Sequence, residues 1–555
     1  MAIDLGSPWG KTHAVNSCML RIVPLRKNST VSPRPTMGSL FLLMVAVIGA
    51  VAALGQIALH VFYFLSPRAF LWDAGIYLAM GRGLLNGLTL YKDIFDLKPP
   101  GVFFLSALSL ALFGDGRLGN IFGALALLVF PLSTVLFVRP ALLHTRGRTR
   151  MTLALLALLL GAFWSSFQAM EGGPWQTEPF GAVFALLYTV SLFLSSRHRV
   201  WQLSLAVIGL MGSIGMKEPF VFSCAAAALL TSPTPKEFLK RFVVPLIVTC
   251  VIGVIVMGAL GILLPYISYY LPSLMLYRGW DFDPVWMRGL GGNILMINIA
   301  KVSPVAPLAF LLLVGLGLFA RLQHIRMASR KVWTVLSTVL ALYIAMLSMG
   351  IAGDYQSHHF VFMAPAFFAL CFILLQKTPA LLQARATRFA VLGLLTVLSL
   401  VFLIPTHLPD PRYAENRYRE IVTSAAILDS MLDECGIDRY LSVIGPEVNI
   451  YGFTLHSPLN HSLFWQIDNA IQYGQTFLDL SIERLGQSDV IVLPKEGFTP
   501  SSEIGNDMAA YIAEAFSPVR PTCAQGMPDL PGHTLLFRRN NTPLKLEIKF
   551  IDSRK

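Results

Sequence analysis

Long apolar runs separated by short polar loops set the pattern of the chain up to about residue 405. The runs lie near 40–66, 118–138, 151–168, 179–195, 202–216, 219–232, 243–265, 302–320, 333–351, 360–376 and 389–405. A helix of roughly 17–25 apolar residues crosses the ~30 Å hydrocarbon core of a bilayer. The pattern therefore predicts an all-α multispan membrane bundle of about eleven helices. One more run, "GVFFLSALSLALFG" at 101–114, has the length of a re-entrant or interfacial segment. It is expected to lie along the outer surface. Residues 202–231 are read as two short spans, with Lys217 and Glu218 of "MKEPF" at the outer turn. A single broken helix there would put Lys236, Lys240 and Arg241 outside.

Beyond residue 406 the character changes. "PTHLPDPRYAENRYRE" is a Pro-rich, charged linker. Strand-like runs at 439–445 and 489–494 then alternate with helix-like runs at 416–433, 468–485 and 503–516. That alternation predicts a small α/β domain. The expected organisation is a polar tail at 1–36, a membrane domain at 37–405 and an extramembrane domain at 406–555. Met37 directly precedes the first span and is an alternative start. Cys435 and Cys523 fall in the last domain and can pair in an oxidising compartment; two free thiols is the other reading.

Composition strengthens the membrane reading. The chain of 555 residues is 55% hydrophobic and 13% charged, against about 25% charged in soluble proteins. The net charge of +12 does not point to nucleic acid, because the basic residues cluster between apolar runs. Clusters at 139–150, 197–199, 236–241, 321–331 and 377–388 hold sixteen Lys/Arg and one acid, Glu237. Basic loops stay in the cytoplasm, which puts these five inside. The alternate loops hold ten of the eleven acids between 37 and 405. The N-terminus is then inside and the C-terminal domain outside. The six cysteines show no CxxC or Cys/His metal spacing.

Every sizeable polar constellation of the membrane half falls on that outer side. Asp73 opens a helix-like stretch after the first span. Ile76, Met80 and Leu84 form an apolar stripe at helical spacing, as in a helix lying in the interface, while Asp73 and Tyr77 share another face. Asp73 is either an N-cap or a functional acid. Lys98 precedes Pro99-Pro100, which hold it in an extended turn; it is either a snorkelling anchor or a contact for an anionic lipid phosphate. Glu171 and Glu178 occupy the next outer loop, and Glu178 also suits a helix first turn before Pro179. Lys217, Arg82, His358 and His359 are further candidates for a phosphate or acceptor. A pair of histidines alone is weak for zinc. The aromatics at 266–286 suit an interfacial belt. Asp93 and Asp96 read as solvated loop residues.

The block "WDAGIYLAMGRGLLNG…LYKDIFDLKPPGVFFLSALSLALFG" resembles the first outer loop of GT-C glycosyltransferases of the protein O-mannosyltransferase and aminoarabinose-transferase type. There an acid follows the first span, two juxtamembrane helices flank a Lys-Pro element, and a short apolar segment ends near Phe-Gly. Here these are Asp73, Lys98-Pro99-Pro100 and Phe113-Gly114. "GMKEPF" and "YQSHHFVFMAPAFFAL" resemble later family elements, and "RYLSVIGPEVNIYGFTLHSP" with "SDVIVLP" looks like the family's small outer domain. Two departures stand out. Asp73 is followed by Ala74-Gly75 where the family often has an acidic pair, and the second-loop acid is Glu171 or Glu178 where Asp is usual. The resemblance implies transfer of a sugar, with inversion, from a polyprenyl-phosphate donor to a hydroxyl of a glycan, lipid or protein. Asp73 is then the base and Lys98 the phosphate contact, with Lys217, Arg82 or His358 as helpers. It requires no cofactor; a divalent metal stays open. The expected setting is a bacterial inner membrane with the site facing the periplasm. The alternatives are a flippase for a lipid-linked sugar, for which paired broken helices are expected, and an envelope structural protein, which leaves the 73–100 cluster unexplained.

Overall fold

The computed structural model describes residues 37–66, 72–169, 175–194, 199–279, 297, 299–300, 303–322, 328–351, 357–404, 411–442, 448–459, 475–495 and 503–539. The helices are α1 (Met37–Leu65), α2 (Trp72–Leu85), α3 (Gly101–Phe113), α4 (Arg117–His144), α5 (Gly147–Ala169), α6 (Thr177–Ser191), α7 (Arg199–Met216) and α8 (Phe220–Thr231). They continue with α9 (Pro235–Ala259), α10 (263–279), α11 (Ala306–Leu322), α12 (Ala328–Ile351), α13 (Ala364–Leu381) and α14 (Arg385–Leu403). The C-terminal region adds α15 (Pro411–Cys435), α16 (Gln475–Gln487) and α17 (Glu503–Ala515).

Eight described helices are long and apolar enough to cross a membrane: those of α1, α4, α5, α7, α9, α12, α13 and α14. This is a multi-pass membrane protein. Three other expected spans are the shorter helices α6, α8 and α11, of 15, 12 and 17 residues. At 1.5 Å per residue they reach roughly 18–26 Å, less than a full hydrocarbon core. The count of about eleven is therefore longer than the eight that length and apolarity supply among the described residues.

The bundle closes around α13, whose aromatic face meets its neighbours ring on ring. Phe368 stacks on Phe130 of α4 at 4.9 Å, Phe372 on Phe137 at 4.0 Å, and Phe367 lies 4.3 Å from Trp164 of α5. Polar side chains inside the bundle bond to facing backbones. Thr134 Oγ1 donates to the Ala157 carbonyl at 2.7 Å and Ser165 Oγ to that of Leu127 at 2.6 Å, the small-residue contacts that draw membrane helices together where apolar burial gives no net drive.

The chain beyond 411 is a five-stranded sheet in the order β2-β1-β3-β5-β4. These strands are β1 (Arg439–Ser442), β2 (Ser457–Pro458), β3 (Val490–Pro494), β4 (Phe516–Ser517) and β5 (His533–Arg538). β1 runs parallel to β2 and β3, and β5 runs antiparallel to β3 and β4. The α/β reading of this region thus holds. Cys435 at the end of α15 is disulfide-bonded to Cys523, with Cα atoms 5.2 Å apart.

Two sequence expectations are corrected. α2 is not a surface helix with one apolar stripe: Ala74, Ile76, Tyr77, Leu78, Ala79 and Met80 are all 0–1% exposed. The stripe reading assumed that only the membrane covers the helix. In fact α3 lies on one side and the C-terminal domain on the other. Their apolar residues form one continuous core, from Met80 and Phe103 to Leu428, Tyr440, Tyr451 and Val492. Asn86 Nδ2 donates to Ser457 Oγ at 2.9 Å, and Arg82 lies within electrostatic reach of Asp429 and Tyr440. Secondly, the tyrosines of 266–270 do not form only a belt. Tyr270 is buried, and it packs with Tyr266 against Tyr91 at 4.9 and 5.7 Å.

This contact is close at Gly452, where a Cβ would lie 3.0 Å from both the Cα and the carbonyl oxygen of Gly75. Backbone cannot yield as a side chain does. Gly452→Val is expected to cost about 1–3 kcal/mol by overpacking, measured as a lower midpoint of thermal unfolding in detergent.

Candidate functional site

The site forms where the loop between α2 and α3 meets the α7–α8 turn. Pro219 cannot continue α7, so the helix ends at Met216 and α8 restarts at Phe220, leaving Lys217 and Glu218 at the tip of a hairpin. Pro99 and Pro100 end the preceding loop in the same way and start α3. Gly101 then allows α3 to press on the hairpin: a Cβ at 101 would fall 2.4 Å from the carbonyl oxygen of Gly215. Lys98 and Lys217 are consequently brought together, their amino groups within hydrogen-bonding range.

Three carboxylates surround the two lysines. Glu178, in the first turn of α6, holds Lys217 at 3.1 Å, and the two side chains are only 2% and 8% exposed. The other Glu178 oxygen accepts from Thr177 Oγ1 at 3.0 Å. Asp73 sits in the first turn of α2 rather than before it, and accepts from the Tyr77 hydroxyl at 3.2 Å. Asp96 is 3% exposed. Its Oδ1 accepts from the Leu97 amide at 2.7 Å, while its Oδ2 is buried with no hydrogen-bond partner among the described residues.

Burial and charge work against each other here. Burial alone favours a neutral Lys98, but Asp73, Asp96 and Glu178 outweigh it and hold the ammonium charged well above the usual lysine range. Burial pushes the Asp96 carboxyl up to about 6, with Lys98 opposing it and Asp73 adding to it. Burial, then Asp73, Asp96 and Glu178, keep Tyr77 a neutral donor far above the ordinary tyrosine range.

The structure thus brings together Asp73, Tyr77, Lys98, Glu178 and Lys217 of the expected residues. Arg82 is elsewhere, facing Asp429 and Tyr440 of the C-terminal domain, where burial lowers its pKa. The reason is helical spacing: nine residues from Asp73, it leaves α2 at the opposite end. His359 is buried at 7% exposure, its ring 5.6 Å from Phe362. Glu171 and the side chain of His358 lie outside the described residues, as do Asp281, Asp283, Arg288 and Asp354. No group of His, Cys, Asp and Glu among the described residues has a metal-site arrangement.

Asp96, which reads in the sequence as a solvated loop residue, is buried; its position two residues before Lys98 is the local sign of this. Asp93 is a turn residue, its carboxylate accepting from the Thr89 amide at 2.8 Å. Two further residues border the site, Glu218, which the sequence places at the outer turn, and Tyr91, which had no sequence signal. Glu218 accepts a short hydrogen bond from Tyr270. Tyr91 donates to the Lys98 carbonyl at 2.8 Å with its own backbone at φ +67°, a conformation that costs of order 1–3 kcal/mol in a non-glycine residue. It fixes the carbonyl of the residue whose ammonium enters the cluster.

Removing one partner of a buried ion pair leaves the other uncompensated, at about 3–5 kcal/mol. Lys217→Met is expected to destabilise the protein on that scale, and the double change Glu178→Gln/Lys217→Met much less. Thermal unfolding of the three variants in one detergent checks the ordering.

Compared with protein-family models, with curated proteins and with solved structures, the chain has no match.

Proposed function

We propose that the chain is an inverting membrane glycosyltransferase that moves a sugar from a polyprenyl-phosphate-linked donor to an acceptor hydroxyl on the outer face of a bacterial inner membrane. About eleven spans, an inside N-terminus and a periplasmic C-terminal domain belong to the same reading. The Cys435–Cys523 bond supports an oxidising side for that domain. The observation that carries the proposal is the pairing of Lys98 and Lys217, side by side among Asp73, Asp96 and Glu178. Two cations in contact away from bulk water suit an anion that accumulates charge there, as a departing lipid phosphate does.

In this reading Asp73 takes the proton of the acceptor hydroxyl. The acceptor oxygen bonds to the anomeric carbon. The carbon–oxygen bond to the phosphate breaks, and its electron pair goes to the phosphate oxygen beside Lys98. Attack and departure lie on opposite faces of the sugar, so base and phosphate contact must be separate groups. Tyr77 orients Asp73 through its hydroxyl.

Mass spectrometry of envelope glycans from cells with and without the gene is expected to show the loss of one sugar, which names both donor sugar and acceptor. Complementation with Asp73→Asn is expected to leave that sugar missing although the protein accumulates in the membrane, a loss of about 10²–10⁴-fold in rate. Lys98→Ala is expected to raise the donor concentration needed. Normal glycan from the Asp73→Asn cells would end the assignment.

A further inference from the structure

The buried carboxyl of Asp96 is not used by the mechanism above. Its Oδ1 is committed to the Leu97 amide, and its Oδ2 has no hydrogen-bond partner among the described residues. A buried oxygen of this kind costs about 1–3 kcal/mol or more if it stays unsatisfied. The charged and titratable groups around it come from several elements. Lys98 is on its own segment, Asp73 and Tyr77 are on α2, Lys217 is at the hairpin tip, and Tyr91 is in the loop. The unpartnered oxygen therefore lies among two lysines and the Asp73 carboxylate, where a ligand oxygen that accepts its proton would satisfy it.

We propose that Asp96 is the proton-donating contact of the lipid phosphate, its Oδ2–H bonding the phosphate oxygen that leaves the sugar. This deepens the glycosyltransferase reading and rests on it. The reaction has a place for such a group. A sugar phosphodiester with one negative charge and a neutral hydroxyl give a glycoside and a phosphate monoester. The monoester has one negative charge only if it gains the proton that the acceptor loses. Asp73 receives that proton from the acceptor. As the anomeric carbon–oxygen bond breaks and its electron pair moves to phosphate, the Asp96 proton follows onto that oxygen. The Asp96 carboxylate left behind is neutralised by Lys98. Exchange with water afterwards returns a proton to Asp96 and removes one from Asp73.

The environment favours this division. Burial raises the Asp96 carboxyl to about 6, so it carries its proton below that pH and keeps it in about a tenth of the molecules at pH 7. An ionised Asp96 would repel the phosphate. Only the protonated fraction is competent, so apparent affinity is full below the pKa and falls about tenfold per pH unit above it.

The test measures binding of undecaprenyl phosphate to the full chain in nanodiscs between pH 5 and 8, for the wild type, Asp96→Asn and Asp96→Ala. The amide of Asp96→Asn still donates but does not titrate. The ligand's own ionisation is common to all three proteins and cancels in their ratios. At pH 5 the wild type and Asp96→Asn are expected to bind alike, and Asp96→Ala more weakly. Towards pH 8 the wild type is expected to lose at least tenfold relative to Asp96→Asn. The same pattern with inorganic phosphate supports the contact and assigns it to the phosphate group without its lipid. Parallel pH curves for wild type and Asp96→Asn, or an Asp96→Asn as weak as Asp96→Ala, overturn the role of Asp96 alone. If no protein binds undecaprenyl phosphate at any pH, the glycosyltransferase reading falls with it.

Discussion

The ion pair between Lys217 and Glu178, with almost no access to water, is the constraint on which the architecture depends. Each of its charges costs several kcal/mol to desolvate, and mutual attraction offsets this only when geometry is good and the remaining hydrogen bonds are made. Glu178 meets the second condition through Thr177. Lys217 needs its helix to stop at one particular residue, which Pro219 ensures. The pair therefore ties the start of α6 to the α7–α8 turn, and α3 closes over that turn at Gly101. A second buried lysine, Lys98, is then held charged by Asp73, Asp96 and Glu178 near it.

Cover for this cluster comes from an unexpected direction. α2 is buried by the C-terminal region as well as by α3, and one core runs through both. The two ends of α2 have different tasks as a result. Its first turn presents Asp73 to the lysines, and its last turn holds Arg82 and Asn86 against the domain. Displacing the domain would expose apolar surface and tilt the helix that carries Asp73. The disulfide at the end of α15 joins two segments of the same domain that pack on this core.

Much of this was legible in the sequence because it is local. Apolar runs of sufficient length specify helices, "MKEPF" breaks one, and β-branched runs such as "DVIVLP" specify strands. What was not legible depends on partners far along the chain. The stripe of Ile76, Met80 and Leu84 is a true helical periodicity, yet Ala74, Leu78 and Ala79 are equally buried because residues beyond 428 cover them. Asp96 reads as a loop acid because nothing local shows that Lys217, more than a hundred residues on, lies within electrostatic reach of it. Glu178 had a sufficient local explanation in its helix turn, which hid its partner. The positive φ of Tyr91 has no residue signature at all, since the type that usually adopts it is glycine.

The same constraints bear on whether the site is stationary or travels. A carrier must open its site to each side of the membrane in turn, by rocking one part of the bundle against another. Here the groups in the cluster come from α2, the loop before α3, α6 and the α7–α8 turn, and each is fixed by contacts that do not survive large relative motion. Separating α6 from the turn would break a waterless ion pair. Moving α2 would break a core that continues into a folded domain. Tyr91, held in a strained backbone, gains nothing from a mobile Lys98 and a great deal from a fixed one. Strain and buried charge of this kind favour preorganisation, the property that electrostatic catalysis needs most. In the proposed transfer such a fixed cluster leaves the lipid-borne substrate and two protons as the moving parts.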